Sequence, residues 1–202
     1  LELINEVLDM SKIESGNTSL QNEPTYLYDM AKMSADLCAT QIEKKRHHFT
    51  LDLSGLTQDY VLADPVRLRQ IFVNLLSNAI KYTPDGGRIS VDIEEMEAVR
   101  EDSMILQICV SDTGIGISQK YIPHIFEAFT REKNSSESGI MGTGLGLRIV
   151  KSFVDLMNGS VIVQSEPGKG SSFIVEIPCR IVSEEERIDQ AEQSMTETSL
   201  KH

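Results

Sequence analysis

With 202 residues, 40% of them hydrophobic, the chain is long enough for one buried core, and its length favours one domain with appendages over two full domains. No apolar run approaches the roughly 20 residues that cross a bilayer, and the first residues lack the basic, apolar and small-residue order typical of a signal peptide. The net charge of −12 and three scattered cysteines argue against a nucleic-acid partner, a disulfide framework and a zinc site, and they favour a reducing cytoplasmic compartment.

Two helices are predicted before the first strand. Residues 1–14 carry apolar residues at helical spacing, and because no capping residue precedes Leu1 we expect this helix to begin further upstream. After Glu23-Pro24, the segment Tyr26–Lys45 is predicted to form one helix. Its inward face should hold Leu27, Met30, Ala31, Ser34, Leu37, Cys38 and Ile42.

The middle of the chain is predicted to alternate between strands and one long helix. Asp64 is a suitable N-cap and Pro65 a suitable first residue for a helix that runs to about Tyr82. Strands are predicted at His48–Leu53, Tyr60–Ala63, Ile89–Met96 and Met104–Val110.

The last part of the chain predicts a helix, a hairpin and a tail. The helix runs from about Leu145 to Met157, and the hairpin joins Val161–Ser165 to Ser171–Ile177. Beyond Ile181 the sequence is acidic with few large apolar residues, which predicts a disordered tail or linker. This order of elements predicts an α+β sandwich with a mixed sheet covered on one face by helices.

One polar row runs along the long predicted helix. Asn74, Asn78, Lys81 and Tyr82 are spaced so that they project along one edge, beside the apolar face. Asparagine inside a helix costs roughly 0.5 kcal/mol relative to alanine, so two in register need an explanation. The row is either a solvated side of the helix or a set of ligands for a polyphosphate and its metal.

A first glycine loop, Asp112–Gly116, follows an apolar strand. Gly114 and Gly116 lack a Cβ, which would let a flat ligand approach the backbone. Asp112, poorly solvated beside a buried strand, is suited to accept a hydrogen bond from the amine of adenine. An ordinary Asp-x-Gly turn would explain the same residues.

A second glycine loop, Gly142–Gly146, opens the predicted helix at Leu145. Free amides and the positive end of the helix dipole favour a phosphate there. The spacing differs from that of a dinucleotide fingerprint, and the loop lacks the lysine of a P-loop. Between the two loops, Thr130–Met141 is either a lid or an exposed loop, and Phe126 and Phe129 are expected to anchor its start in the core.

Together these motifs resemble the ATP-binding domain of sensor histidine kinases, in the superfamily of DNA gyrase, the Hsp90 chaperones and the MutL proteins. The resemblance covers about Glu23 to Arg180. It matches the N box to Arg69–Pro84 (R-Q-I-F-V-N-L-L-S-N-A-I-K-Y-T-P), the first glycine box to Asp112–Gly116, the F box to Phe126–Phe129 and the second glycine box to Gly142–Gly146. It implies a two-layer sandwich of the Bergerat type that uses ATP and Mg²⁺.

The resemblance also implies a role for each matching residue. Asn78 should give an oxygen to Mg²⁺, and Asn74 should contact the phosphates or metal-bound water. Lys81 should contact the phosphates, Tyr82 the adenine ring and Asp112 the adenine amine. The remaining nucleotide contacts are implied for Gly114, Gly116, Arg131, Gly142, Thr143, Gly144, Leu145 and Gly146. The catalytic candidates are Asn74, Lys81 and Arg131, the last of them near the γ-phosphate.

Asn74 bears on the reaction. Hydrolytic members of the superfamily carry at this position a glutamate that activates water, and an amide cannot act as that base. Phosphoryl transfer needs an in-line nucleophile and neutralisation of charge on the γ-phosphoryl oxygens. We therefore predict slow ATP hydrolysis and transfer of the γ-phosphate to a histidine.

The resemblance places the accepting histidine outside this chain. In the family it lies in an H-E-x-x-x-P stretch on a dimeric hairpin, which the sequence lacks, and His47, His48, His124 and His202 are expected to be structural or surface residues. Leu3–Gly16 resembles the end of that hairpin, so we expect the acceptor upstream. The expected division is 1–22 for the hairpin end and linker, 23–182 for the ATP-binding domain and 183–202 for the tail.

The implied partners are the dimerisation hairpin of the same protein and then a response-regulator receiver domain. The full-length protein is expected to be homodimeric, this chain alone could be a monomer, and an inner-membrane anchor for the parent stays open. Two alternatives also stay open: a nucleotide-sensing module that transfers no phosphate, and a hydrolytic ATPase of the same superfamily.

Overall fold

The structure is a computed structural model that describes Ser11 and residues 19–98, 100, 102–130, 143–183 and 185–187. The predicted helix over residues 1–14, apart from Ser11, and the predicted tail from residue 188 onward lie outside the described residues. No helix in the described part of the chain is long and apolar enough to cross a membrane.

The described residues form a seven-stranded mixed sheet. Its strands are β1 (Glu23–Tyr26), β2 (His48–Gly55), β3 (Tyr60–Ala63), β4 (Arg88–Glu97), β5 (Ser103–Asp112), β6 (Ser160–Glu166) and β7 (Gly170–Ile181). The strand order is β1-β3-β7-β5-β4-β2. Strand β6 lies off this path: it pairs with the first half of β7, whereas β3 pairs with the last residues of β7. Strands β2 and β4 pair in parallel, and the other described pairs are antiparallel.

Helices cover one face of this sheet. They are α1 (Leu27–Asp36), α2 (Ala39–Lys44), α3 (Pro65–Tyr82) and α4 (Gly146–Leu156). Alternate residues of β5, from Met104 to Val110, are buried against them, whereas the residues between are partly exposed. Phe72 of α3 and Phe153 of α4 are fully buried in the same core. The predicted α+β sandwich with helices on one face is therefore confirmed.

The start of α3 follows the prediction closely. The Oδ1 atom of Asp64 accepts hydrogen bonds from the backbone N–H groups of Val66 at 3.1 Å and Arg67 at 3.0 Å. Its Oδ2 atom accepts another from the N–H of Gln21 at 2.9 Å. Because the cap fixes where the helix begins, it also fixes which edge carries the predicted polar row.

The predicted single helix Tyr26–Lys45 is wrong, because the chain breaks into α1 and α2 at Leu37 and Cys38. The N–H of Cys38 donates to the carbonyl of Ala35, three residues back instead of four, which tightens the turn. Cys38 is buried, but Leu37, predicted to face inward, is 64% exposed. Tyr26 belongs to the strand β1, which was not predicted.

The first residues of the predicted tail contact the sheet edge. The backbone N–H of Ser183 donates to Glu186, whose own N–H donates to the Ser183 hydroxyl, as in a capping box. The Arg187 guanidinium lies 4.7 Å from the ring centroid of Tyr60 and 5.6 Å from that of Tyr26. Ordered contacts thus continue to Arg187, and the boundary at residue 182 stays a prediction.

Candidate functional site

The predicted polar row lies along one edge of α3. Asn74, Asn78, Lys81 and Tyr82 are all partly buried, so none of them is a freely solvated side chain. The Nζ atom of Lys81 lies 4.9 Å from the ring centroid of Tyr82. The row starts at Asn74, about two turns before the end of α3, and it ends at Tyr82, the last residue of the helix.

The last residue of α3 contacts the first glycine loop. The carbonyl oxygen of Tyr82 accepts a hydrogen bond from the N–H of Ile115 at 3.2 Å. A Cβ added to Gly114 would stand 2.5 Å from that same oxygen and 2.7 Å from Oδ1 of Asp112. Only glycine fits at position 114, because the helix end and the Asp112 carboxylate occupy the space that a side chain would need.

Asp112 is a carboxylic acid with a strongly raised pKa. Its Oδ1 atom accepts from the N–H of Gly114 at 2.7 Å. Burial raises the pKa of the Asp112 carboxyl to about 6, although the backbone N–H groups of Gly114 and Ser171 stabilise the carboxylate and oppose the shift. A partly desolvated carboxylate of this kind gains from a ligand that donates a hydrogen bond to it.

Gly116 contacts the β6–β7 hairpin. Its φ is +68°, and an added Cβ would stand 2.1 Å from the carbonyl oxygen of Glu166. The hairpin also donates from the N–H of Gly168 to the carbonyl of Ile115 at 2.8 Å. Gly116 is thus needed for packing of the loop on the hairpin, and its predicted role in admitting the adenine ring stays a prediction.

Three hairpin residues that the sequence did not single out also hold the Asp112 end of the site. The Ser165 hydroxyl accepts from the N–H of Ile117 at 2.9 Å and donates to the carbonyl of Gly170 at 2.8 Å. Gly170 has a φ of +106°, and an added Cβ would stand 1.9 Å from the backbone oxygen of Asp112. Ser171 supplies the second backbone N–H to the Asp112 carboxylate. The glycines of G-K-G-S-S-F are the signal in the sequence, but by themselves they predict only a hairpin turn.

An open cavity of about 330 Å³ lies at this hairpin. It reaches the Asp112 end of the predicted site but not the asparagines of α3. Its lining is polar and consists of Asp112, Gln164, Ser165, Glu166, Lys169, Gly170, Ser171 and Ser172.

The second glycine loop meets α3 at Asn74. A Cβ added to Gly146, the first residue of α4, would stand 3.1 Å from Oδ1 of Asn74. Leu145, the residue before this helix, makes no side-chain capping hydrogen bond. Thr143 accepts from the N–H of Leu145 at 3.2 Å, and the Leu145 side chain is fully buried. Leu145 can therefore contribute to a ligand site only through its backbone.

The F box and the second loop are joined at the backbone. The N–H of Phe129 donates to the carbonyl of Gly144 at 3.1 Å, and both residues have positive φ. Phe126 packs against the core as expected, but Phe129 is 70% exposed, so its predicted burial is wrong. The positive φ of Phe129 turns the chain toward Gly144 and its side chain toward solvent. Arg131 and Gly142 lie outside the described residues.

The residues of α3 fit a magnesium ion better than a transition metal. Mg²⁺ prefers oxygen ligands, keeps several waters and uses few protein groups beside substrate phosphates. The amide oxygens of Asn74 and Asn78 are ligands of this type, and the absence of a Cβ at Gly146 lets the start of α4 approach the Asn74 oxygen closely. No cluster of three or more His, Cys, Asp or Glu that could hold a metal exists among the described residues.

Comparison with known families agrees with this geometry. Residues 63–181 match the family described as Histidine kinase-, DNA gyrase B-, and HSP90-like ATPase. The chain belongs to this family. The matched region of the ATPase family runs from the residue before the Asp64 cap to the end of β7, and so it includes both glycine loops and α3.

Several curated relatives of this ATPase-family chain are named as sensor kinases or sensor proteins. It is 36% identical over 191 residues to the autoinducer 2 sensor kinase/phosphatase LuxQ of Vibrio parahaemolyticus, a match over 93% of this chain and 21% of the relative. It is 41% identical over 181 residues to the sensor protein GacS of Pseudomonas syringae, over 88% of this chain and 19% of the relative. The chain thus spans about a fifth of the length of these relatives.

Solved structures of histidine kinases share the fold. Full-length ShkA in complex with AMPPNP aligns with a TM-score of 0.76 and 28% identity, over 90% of this chain and 36% of that one. The nucleotide-free catalytic domain of ThkA aligns with a TM-score of 0.65 and 26% identity, over 79% of this chain and 96% of that one. The recognition of a histidine kinase ATP-binding domain is therefore confirmed.

Proposed function

We propose that the chain binds ATP with Mg²⁺ and presents the γ-phosphate to a histidine on the dimerisation hairpin of its parent protein. The observation that carries the proposal is that one helix joins both glycine loops. Tyr82, at the end of α3, contacts Gly114, and Asn74, about 12 Å earlier along the same helix, contacts Gly146. An elongated ligand with a base at one end and phosphates at the other suits two such loops.

The base end of the site would be formed by Asp112 and Tyr82. A carboxylate that burial leaves short of hydrogen bonds accepts from the exocyclic amine of adenine, whereas guanine presents a carbonyl at that position. The raised pKa of Asp112, to about 6, supports this role because it reports an incompletely satisfied charge. We infer a preference for ATP over GTP.

The phosphate end would be formed by the start of α4 and the row on α3. Free backbone N–H groups at the uncapped helix start would bind phosphate oxygens. Asn78 and Asn74 would hold the metal and its water, and Lys81 would contact the phosphates. When bound, Mg²⁺ would neutralise charge on the phosphoryl oxygens. Arg131, Gly142, Thr143 and Gly144 complete the proposed set.

The parent protein would work as a two-component sensor kinase. Relatives that match over most of this chain are named as sensor or histidine kinases, which supports the dimerisation hairpin and a receiver domain as partners. We propose homodimerisation and a cytoplasmic position for this domain on the same grounds. The divisions at residues 22 and 182 belong to this proposal.

The binding test is calorimetry with ATP, in the presence and absence of Mg²⁺. Asn78→Ala should remove most of the gain in affinity that Mg²⁺ provides, and Asp112→Ala should weaken ATP binding in both conditions. Arg69→Ala, on the exposed side of α3, and Asp92→Ala, on β4, are the matched controls. ATP binding that neither Asn78→Ala nor Asp112→Ala weakens would contradict the site.

The transfer test separates the proposal from its two alternatives. The parent's hairpin domain, supplied in trans with radiolabelled ATP, should become labelled on histidine. A sensing module would bind ATP and leave the hairpin unlabelled. A hydrolytic ATPase would release phosphate rapidly without the hairpin, which Asn74 in place of a glutamate argues against.

A further inference from the structure

The C-terminal end of α3 has an unusual set of hydrogen-bond donors. The last four carbonyl groups of a helix lack partners within the helix and need other donors. In α3 the carbonyl of Ala79 accepts from the N–H of Thr83, and that of Tyr82 accepts from the N–H of Ile115. The two carbonyls between them, of Ile80 and Lys81, require donors from elsewhere in the chain.

Lys45 supplies them from the residue that follows α2. Its Nζ atom donates to the carbonyl of Ile80 at 2.8 Å, of Lys81 at 3.1 Å and of Thr83 at 3.1 Å. An ammonium group has three protons, and here each of them has a carbonyl acceptor. The positive charge also lies at the negative end of the helix dipole. Lys45 therefore matches this helix end in both hydrogen bonding and charge.

The backbone around Lys45 holds the turn that follows α3. Its carbonyl accepts from the N–H of Gly86 at 2.9 Å, and the N–H of His48 donates to the carbonyl of Gly87 at 2.9 Å. The buried ring of His47 adds a second contact to the carbonyl of Ile80, at 3.3 Å from Nε2. The segment from Lys45 to His48 thus fixes both the last turn of α3 and the residues after it.

On the side away from Lys45, the end of α3 packs closely against the first glycine loop. A Cβ at Gly114 would be only 2.5 Å from the Tyr82 oxygen, so a small shift of the helix end displaces the loop or breaks the bond from Ile115. Lys81 and Tyr82, which follow the Lys45 contacts directly, carry two of the proposed nucleotide contacts. The position of Lys45 is thereby coupled to the base end of the site through Tyr82 and to the proposed phosphate contact of Lys81.

We propose that Lys45 is a positioning residue of the nucleotide site, which acts by clamping the end of α3 against the first glycine loop. The inference rests on the proposed function. Lys45 would not touch the nucleotide; it would hold Lys81, Tyr82 and Gly114 in the arrangement that binds it. The metal end would be little affected, because Asn74 lies two turns away from the clamp.

The test compares Lys45→Met with Lys44→Met. Lys44 is exposed in the last turn of α2, so its variant removes the same charge one residue away without removing the clamp. Lys45→Met should weaken ATP binding about tenfold, in line with the loss of hydrogen bonds to a charged group, and leave the ratio of affinities with and without Mg²⁺ unchanged. Lys44→Met should bind as the wild type does. Lys45→Arg, which keeps the charge, should fall between them.

A spectroscopic readout separates positioning from a loss of stability. The backbone amide resonance of Ile115, which reports the bond to Tyr82, should shift in nucleotide-free Lys45→Met and not in Lys44→Met. A purely structural role would lower the melting temperature or the number of binding sites and leave both the dissociation constant and this resonance unchanged, and that result would overturn the inference. If the wild type fails to bind ATP, the proposed function fails, whereas the Ile115 resonance still tests the clamp.

Discussion

The side-chain oxygen of Asn74 lies 3.1 Å from the point where a Cβ would stand on Gly146. This distance is tighter than most contacts that a Cβ makes, so the asparagine amide and the start of α4 are packed against each other. Residues 72 positions apart in sequence thus form one wall of the proposed phosphate site. Because Gly146 has no side chain, the Asn74 amide can pack against the start of α4.

Gly146→Ala should weaken ATP binding with little loss of stability. The added methyl displaces the Asn74 amide, whereas alanine is the better helix former by up to about 1 kcal/mol. Calorimetry and urea unfolding measure the two effects. In the double variant with Asn74→Ala the displaced group is absent, so Gly146→Ala should then cost much less affinity. Additive losses of affinity would mean that the two residues do not act together.

Gly170→Ala should destabilise the domain far more than Gly168→Ala. Both glycines have positive φ, but a Cβ at Gly168 meets open space and one at Gly170 would stand 1.9 Å from the backbone oxygen of Asp112. Gly168→Ala should cost about 1–2 kcal/mol through backbone strain alone. Gly170→Ala should cost more than about 3 kcal/mol, because β5 and β7 must also separate. Urea unfolding checks the difference, and equal costs would contradict the close approach.

The raised pKa of Asp112 predicts a pH dependence of stability with a definite sign. The folded state holds the proton until about pH 6, above the ordinary value of 3.8, so between these values the folded state binds more protons than the unfolded state. The free energy of unfolding should therefore fall as pH rises from about 4 to about 6. Asp112→Asn should remove this part of the profile, as measured by unfolding at a series of pH values.

The same ionisation should affect nucleotide binding. An ionised Asp112 accepts from the adenine amine, so ATP affinity should fall as pH decreases through about 6, where burial places the pKa of this carboxyl. ATP itself titrates in this range, so the measured quantity is the ratio of affinities of wild type and Asp112→Asn. A ratio that stays constant between pH 5 and 8 would argue against contact between Asp112 and the base.

Arg187→Ala should destabilise the domain by about 1 kcal/mol, the usual size of a cation–π contact. Its guanidinium lies over the rings of Tyr60 and Tyr26, whose centroids are 4.2 Å apart. Glu185→Ala, two residues earlier and exposed, should change the melting temperature little. A domain that ends at residue 182 should lose as much stability as Arg187→Ala does. If Arg187→Ala and the chain that ends at residue 182 both have the melting temperature of the wild type, the segment after β7 contributes nothing to stability.

Local signals predicted several elements correctly. The cap at Asp64, the proline after it and the helical spacing up to Tyr82 place α3 correctly, because each signal depends on residues within one or two turns. The hairpin across Glu166–Gly170 was also correct, since glycine turns and alternating apolar residues are local features.

The predictions were wrong where the neighbouring residues are compatible with more than one local conformation. The apolar spacing of Tyr26–Lys45 continues through the break at Leu37 and Cys38, so the spacing alone does not show where α1 ends and α2 begins. Phe129 was expected in the core on account of its hydrophobicity. Its backbone bond to Gly144 requires a positive φ that turns the ring outward, and nothing adjacent in sequence indicates that bond.

The type of fold and the family could be predicted from the sequence, and a set of residues that could bind a nucleotide could be proposed from it, because spacing along one helix or loop depends only on nearby residues. The tertiary structure decided how these residues meet. The contacts of Gly146 with Asn74, Gly170 with Asp112 and Lys45 with the end of α3 join segments far apart in the chain. Such contacts depend on how closely two backbones approach and on which carbonyls a helix leaves unpaired, and neither is fixed by a local pattern.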